Sequence, residues 1–172
     1  APAPDEPSHT YAYVIFTSGS TGMPKGAVIT QRSVLNLAAR IQEEAFDLLH
    51  KDRLEVGVTA SFAFDLSVQQ IYPSLFGGHT LHIIPYETKL RPASLVAALN
   101  RMDVCDGTPL LLQLIHQHLT AHPKERLKLK LYLSAGEELK KSIIHTFFAL
   151  CPDCKVVNCY GPTECTVETT LF

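Results

Sequence analysis

No charge of one sign dominates this chain of 172 residues: 15 Lys and Arg face 17 Asp and Glu, for a net charge of −2. That balance gives no electrostatic reason to expect a nucleic-acid or anionic-membrane partner. No long apolar run reads as a membrane span either. The longest stretch free of Asp, Glu, Lys and Arg, Leu66–Tyr86, holds Gln69, Gln70, Pro73, Gly77, Gly78, His79 and His82. It reads better as a helix, a turn and a buried strand. The N-terminal Ala1-Pro-Ala-Pro-Asp-Glu-Pro7 has neither the basic nor the apolar region of a signal peptide. The missing initiator Met suggests a chain cut from something longer. Gly (9) and Pro (11) are too few for a collagen-like or linker sequence. The Cys count of 5 is odd and irregularly spaced, so a disulfide scaffold is excluded and a cytoplasmic protein with reduced thiols is expected. There are no internal repeats and no internal domain boundary.

What is present is a hydrophobic content of 46% against 19% charged, enough to bury a sizeable core. Residues 1–10 read as a flexible lead-in. Tyr11–Phe16 fits a short buried strand, followed by a Gly/Ser/Thr stretch to Gly26. With Thr30 as N-cap, Val34, Leu37, Ala38, Ile41, Ala45, Leu48 and Leu49 recur at helical spacing. Glu55–Ala60 reads as a strand, and Val68, Ile71, Tyr72 and Leu75 share a helical face closed by Gly77-Gly78. Thr80–Ile84 is strand-like, Pro92 opens a helix with Leu95, Val96 and Leu99, and Asp103–Cys105 is a brief strand. Thr108-Pro109 announces another helix. Leu129, Leu131 and Leu133 alternate with Lys128, Lys130 and Tyr132, a strand with one wetter face. Glu138–Leu150 is helical and Lys155–Cys159 forms the last strand. Alternating strands and helices predict an α/β fold, a mostly parallel sheet with helices on both faces.

The strongest chemical signal is Thr17-Ser-Gly-Ser-Thr-Gly-Met-Pro-Lys-Gly26. Glycines let backbone N–H groups turn toward an anion, hydroxyls add donors and Lys25 adds charge, a set suited to phosphate. A solvent-exposed hydroxyl-rich turn is the plainer alternative. The segment is not a P-loop, because Pro24 stands where that motif needs its second Gly. Two further segments are Phe64-Asp-Leu-Ser67, at a helix start, and Asn158-Cys-Tyr-Gly-Pro-Thr-Glu164, leaving the last strand.

Together, in this order and with Leu133-Ser-Ala-Gly-Glu137 between them, these segments resemble the adenylate-forming superfamily. The likeness is to the amino-acid adenylation domains of nonribosomal peptide synthetases, from about Tyr11 to the C-terminus. The resemblance implies a flavodoxin-like sheet, a subdomain of the family's large domain, with residues 11–172 as a partial AMP-binding core. It implies ATP and Mg²⁺, an amino-acid substrate, and a carrier protein bearing phosphopantetheine within a larger synthetase of the antibiotic-making kind. Thr17, Ser18, Gly19, Ser20, Thr21, Gly22 and Lys25 would hold the leaving pyrophosphate. Tyr160 would lie on the adenine, with Asn158 and Gly136 at its edge and Glu137 and Gly161 beside them. Glu164 would ligate Mg²⁺, and Thr163 would touch phosphate or carboxylate. Asp65 would bind the substrate's α-ammonium, a group that fatty and aryl acids lack; its alternative is a helix N-cap. Leu66, Gln69, Asp106, Leu133, Ala135, Cys159, Val167 and Glu168 would surround the side chain. Because Gln69, Asp106 and Glu168 offer acceptors, a polar side chain, Gln-like or basic, is expected.

Two departures stand inside the match: Ala135 where Gly is usual, and Gln31 where His often follows the loop. The resemblance also implies a preceding segment and a C-terminal lid with a Lys that meets the acyl phosphate, so this segment alone is expected to be inactive or nearly so. A non-catalytic nucleotide-binding or interaction module, or an acyl- or aryl-acid-activating relative, are the alternatives. Cys151-Pro-Asp-Cys154 with Cys159 and Cys165 is a rival zinc reading, but its C-x-x-C stands alone. His118 and His122, four apart without the Glu of H-E-x-x-H, read as surface or groove histidines.

Overall fold

Residues of opposite parity in the central strands face two different apolar cores, and that alternation explains the architecture. The computed structural model describes residues 10–18 and 22–172. In chain order the elements are β1 (Tyr11–Thr17), β2 (Lys25–Thr30), α1 (Gln31–Glu44), β3 (Glu55–Val58), α2 (Leu66–Phe76), β4 (Thr80–Ile83) and α3 (Tyr86–Lys89). Then come α4 (Pro92–Leu99), β5 (Val104–Gly107), α5 (Pro109–Ala121), β6 (Leu131–Ser134), α6 (Lys141–Leu150), β7 (Lys155–Tyr160) and β8 (Thr170–Leu171). The main sheet runs β4-β3-β5-β6-β7-β8, parallel except for the β7–β8 pair. Counted among themselves, its parallel strands follow the flavodoxin-like order, with the order reversing between β3 and β5.

Val56, Val104, Leu131, Leu133 and Val157 pack on one face against Leu37 and Ile41 of α1 and Val68 of α2. Cys105 and Tyr132 face the other way, into Leu95 and Leu99 of α4, Leu112 and Ile115 of α5 and Phe147 of α6. Helices therefore cover both faces, as the strand–helix alternation predicted. Thr30 caps α1 as read: its backbone is extended, and the Ser33 N–H donates to Thr30 Oγ1 at 3.3 Å. Gly77 ends α2, and Gly78 takes a φ of 72°, where only Gly sits without strain. The uncharged stretch from Leu66 is α2, a turn and β4.

Several local readings change. Tyr11–Phe16 is a strand but not a buried one. It pairs antiparallel with β2, which the Gly/Ser/Thr pattern concealed, in a separate two-stranded hairpin. Tyr11 and Phe16 on that hairpin are exposed. The expected wetter face at Leu129–Leu133 does not exist within the strand: Lys128 and Lys130 precede β6, and Tyr132 is fully buried under α5 and α6. Its hydroxyl donates to the Thr108 carbonyl at 3.0 Å, so the polar tip is satisfied inside the core. Gly107 permits this, because a Cβ there would stand 2.3 Å from Tyr132 Oη. Helix α1 stops at Glu44, with Phe46–Leu49 a separate 3₁₀ turn, and α6 starts at Lys141 rather than Glu138. The lead-in falls, except for Thr10, outside the described residues.

Candidate active site

In an open parallel sheet, ligands sit at the carboxyl ends of the strands. There the segments leaving β3, β6 and β7 converge on a cavity of about 600 Å³. Its walls include Asp65, Leu66, Ala135, Gly136, Glu137, Asn158, Cys159, Tyr160, Gly161, Val167 and Glu168, all expected from the sequence. Glu138, Leu139, Thr170 and Phe172 complete it and were not foreseen. Gln69, Asp106 and Leu133 do not reach the open space. They are buried beneath it, with Gln69 Nε2 3.7 Å from the Cys159 thiol of the cavity wall.

Asp65 occupies the N-cap position of α2 but makes no capping bond. Its carboxylate instead accepts a hydrogen bond from Thr163 Oγ1 at 2.6 Å, across a sequence gap of 98 residues. The capping alternative is thereby answered, and Thr163 and Asp65 become one unit. Tyr13 of β1 is an unforeseen neighbour. Its hydroxyl is buried without a partner, and burial, then the charge of Asp65, then Tyr72, push its pKa up to about 12.

Beneath the cavity two adjacent glutamines of α2 behave differently. Gln70 is fully satisfied: its Oε1 accepts the N–H groups of Thr59 and Ala60 at 3.1 Å each, and its Nε2 donates to Thr59 Oγ1 and the Asp106 carbonyl at 3.3 Å each. It pins the segment leaving β3 to the sheet, a role that only the tertiary contacts reveal. Gln69 donates to Asp106 Oδ2 at 3.0 Å, while its Oε1 has no partner. Asp106 Oδ1 and Glu168 Oε2 are likewise buried and unpartnered. Burial pushes the Asp106 carboxyl up to about 8, with the Gln69 bond pulling the other way. Burial, then the charges of Asp106 and Asp65, push Glu168 up to about 8 as well. Of these only Glu168 lines the cavity, where a ligand group that brings a donor would relieve a cost of about 1–3 kcal/mol.

Tyr160 projects from the end of β7 with its ring exposed, on the rim of the cavity. Beyond it, Gly161 lies so close to the returning chain that a Cβ would meet the Val167 carbonyl at 2.4 Å. Thr163–Cys165 forms a 3₁₀ turn that presents Glu164 to solvent, and Thr166 and Val167 follow with φ of 64° and 71°. Left-handed backbone at two β-branched residues is strained, and it delivers Val167 and Glu168 into the cavity. Strand β2 packs against the Thr163–Cys165 turn. Across the hairpin Thr17 Oγ1 lies 3.4 Å from the Lys25 carbonyl, and Gly22 has a φ of 83°. Ser18 is described, whereas Gly19, Ser20 and Thr21 lie outside the described residues.

The cysteine zinc reading fails on placement. Cys151 and Cys154 are buried in the core beneath α5 and α6, Cys159 lines the cavity and Cys165 is exposed. No described helix is long and apolar enough to cross a membrane.

The chain matches the family model described as AMP-binding enzyme over residues 1–171. It belongs to the AMP-binding enzyme family. Among curated relatives, bacitracin synthase 1 of Bacillus licheniformis is 39% identical over 95% of this chain, which spans 3% of that protein. The D-alanine–D-alanyl carrier protein ligase of Bacillus cereus is 34% identical over 92% of this chain, which spans 31% of the ligase. Among solved structures, the Vibrio cholerae adenylation domain AlmE, in complex with glycyl-adenosine-5'-phosphate, superposes with a TM-score of 0.84 at 31% identity. That match covers 98% of this chain and 31% of AlmE. This AMP-binding chain is thus similar to one stretch of nonribosomal peptide synthetase adenylation domains, and it spans less than a third of the length of each of these relatives.

Proposed function

We propose that this chain is the nucleotide- and substrate-binding core of an amino-acid adenylation domain. The parent enzyme would join an amino acid to ATP, forming aminoacyl-AMP and pyrophosphate, and pass the aminoacyl group to the phosphopantetheine thiol of a carrier protein in its synthetase. The observation that carries the reading is Asp65: a half-buried carboxylate on the cavity wall, released from helix capping and oriented by Thr163. A substrate α-ammonium is the partner that such a group calls for.

The other roles are supported by position on the cavity wall and, for residues 17–25, by the composition of the loop. The exposed Tyr160 ring offers a stacking surface for adenine, with Gly136, Asn158 and Gly161 beside it on the cavity wall and Glu137 next to them. Thr17, Ser18, Gly22 and Lys25, together with Gly19, Ser20 and Thr21, supply phosphate donors. The carboxylate of Glu164 is a hard oxygen donor free to face solvent, which fits Mg²⁺. When bound, that ion supplies neutralisation of phosphate charge. Asp65 and Thr163 orient the substrate so that its carboxylate faces the α-phosphate. Glu168, which lines the cavity with its Oε2 unpartnered, supports a substrate side chain rich in hydrogen-bond donors, Gln-like or basic.

The test is ATP–pyrophosphate exchange by the whole enzyme that contains this core, run against a panel of acids. Exchange that depends on an amino acid with a donor-bearing side chain, and that collapses in Asp65→Ala, is expected. Exchange supported by an aryl or fatty acid and indifferent to Asp65→Ala refutes the amino-acid reading. A preference for Leu or Phe refutes the polar pocket alone.

A further inference from the structure

We infer that His118, His122 and Glu125 form a binding site for a zinc-class divalent transition metal, remote from the nucleotide cavity. Helix α5 starts directly after β5, at the cavity end of the sheet, and runs back along the sheet for about 20 Å at the α-helical rise. Its last turn therefore lies at the opposite edge. Two histidines four apart share a helix face, and the chain reverses at Pro123 to bring Glu125 over the same face. The ligand atoms of the three residues lie within 4.8 Å of one another.

The arrangement is further built than spacing alone gives. His118 is largely buried rather than on the surface, and its Nε2 stands 3.0 Å from Glu125 Oε2. The two imidazoles stack with centroids 4.2 Å apart and planes 26° from parallel. His122 Nδ1 lies 2.9 Å from the His118 carbonyl, which can only accept, so Nδ1 carries the proton and Nε2 keeps its lone pair. A ring fixed in this way through its second nitrogen is how ligating histidines are held. The neighbouring cation does not compete: Arg126 Nη1 donates to the carbonyls of Pro123 and Glu125 rather than to the carboxylate.

Zinc bonds of about 2.0–2.2 Å to two imidazoles and a carboxylate place donor atoms about 3.3 Å apart in a tetrahedron. Glu125 is exposed, and rotation of its side chain would carry the carboxylate toward both imidazoles. The metal would replace the proton now held between His118 and Glu125, and water would complete the coordination. Its effect would be to staple the end of α5 to the segment that carries Leu127 and Leu129 into the core. That segment is otherwise held by Asn100, which donates to the Arg126 carbonyl at 2.9 Å and accepts from the Lys128 N–H at 2.6 Å.

Zinc titration by calorimetry on the protein, paired with thermal melts, tests the assignment. One zinc per chain is expected, with the melt midpoint rising by about 5–10 °C when zinc reaches about 100 times its Kd. His122→Ala and Glu125→Gln, both at exposed positions, should keep the metal-free midpoint while each weakens zinc by about tenfold or more. Cobalt should give a spectrum of nitrogen and oxygen ligation. Failure to bind at millimolar zinc, binding that survives both variants, or a thiolate charge-transfer band with cobalt would each overturn the site.

Discussion

Replacing Asp106 by Asn should make the protein more stable at neutral and alkaline pH. In the wild type, burial raises the Asp106 carboxyl from 3.8 to about 8. The folded chain therefore holds a proton that the unfolded chain has already released. Between those two values the native state binds more protons, so stability falls as pH rises. The stability linked to this proton is complete below about pH 4 and is lost progressively until about pH 8. Each pH unit costs about 1.4 kcal/mol per group, which sets a ceiling of about 6 kcal/mol for Asp106. Glu168, raised from 4.5 to about 8 by burial first and by Asp106 and Asp65 next, titrates over nearly the same window. The two together give a limiting slope of about 2.7 kcal/mol per pH unit.

Asn keeps the shape and can still accept the Gln69 bond, but it has no charge to desolvate. Allowing for water entering at the cavity mouth, a gain of about 2–3 kcal/mol near pH 8 is expected. The slope should fall to half or less, because Glu168 also loses a neighbouring charge. Urea unfolding of both proteins at a series of pH values between about 5 and 8.5 reads the slope directly. An unchanged slope in Asp106→Asn would refute the picture of a desolvated, proton-holding floor.

Three further outcomes follow from the geometry. Gln70→Ala should destabilise by about 2–4 kcal/mol in denaturant unfolding, because it orphans the Thr59 and Ala60 N–H groups beneath α2. Gly107→Ala should destabilise strongly by forcing a Cβ against Tyr132 Oη, and adding Tyr132→Phe, which removes that oxygen, should restore part of the loss; simple additivity would refute the clash. Thr163→Val frees the Asp65 carboxylate and should raise the KM for the amino acid by about tenfold in exchange assays, with a smaller change in the KM for ATP. Equal effects on both substrates would assign Thr163 to the phosphates instead.

Local chemistry was legible wherever a residue acts through its neighbours in the chain. Thr30 caps α1, Gly77 ends α2, and the strand–helix alternation dictates a parallel sheet, because each depends on backbone geometry within a few residues. The motif segments were legible for a related reason: a short run of glycines, hydroxyls and a lysine carries its chemistry in order. Hairpin β1–β2 was not, since its second strand, Lys25–Thr30, is half exposed and half apolar and lies against the phosphate-type loop. Nor was the burial of Tyr132, whose hydroxyl finds a partner only because Gly107 ends the neighbouring strand β5 and Thr108 follows it.

By itself, then, the sequence determined the fold class, the family and eleven of the residues on the cavity wall. Tertiary structure alone decided that Asp65 answers to Thr163 rather than to its own helix, and that Gln70 is satisfied while Gln69 beside it is not. It alone brought Glu125 to His118 and His122. Hydrogen bonds and desolvation act across space at separations such as 98 residues. The pairing of a polar atom, and so its charge and reactivity, is settled only when the sheet has assembled.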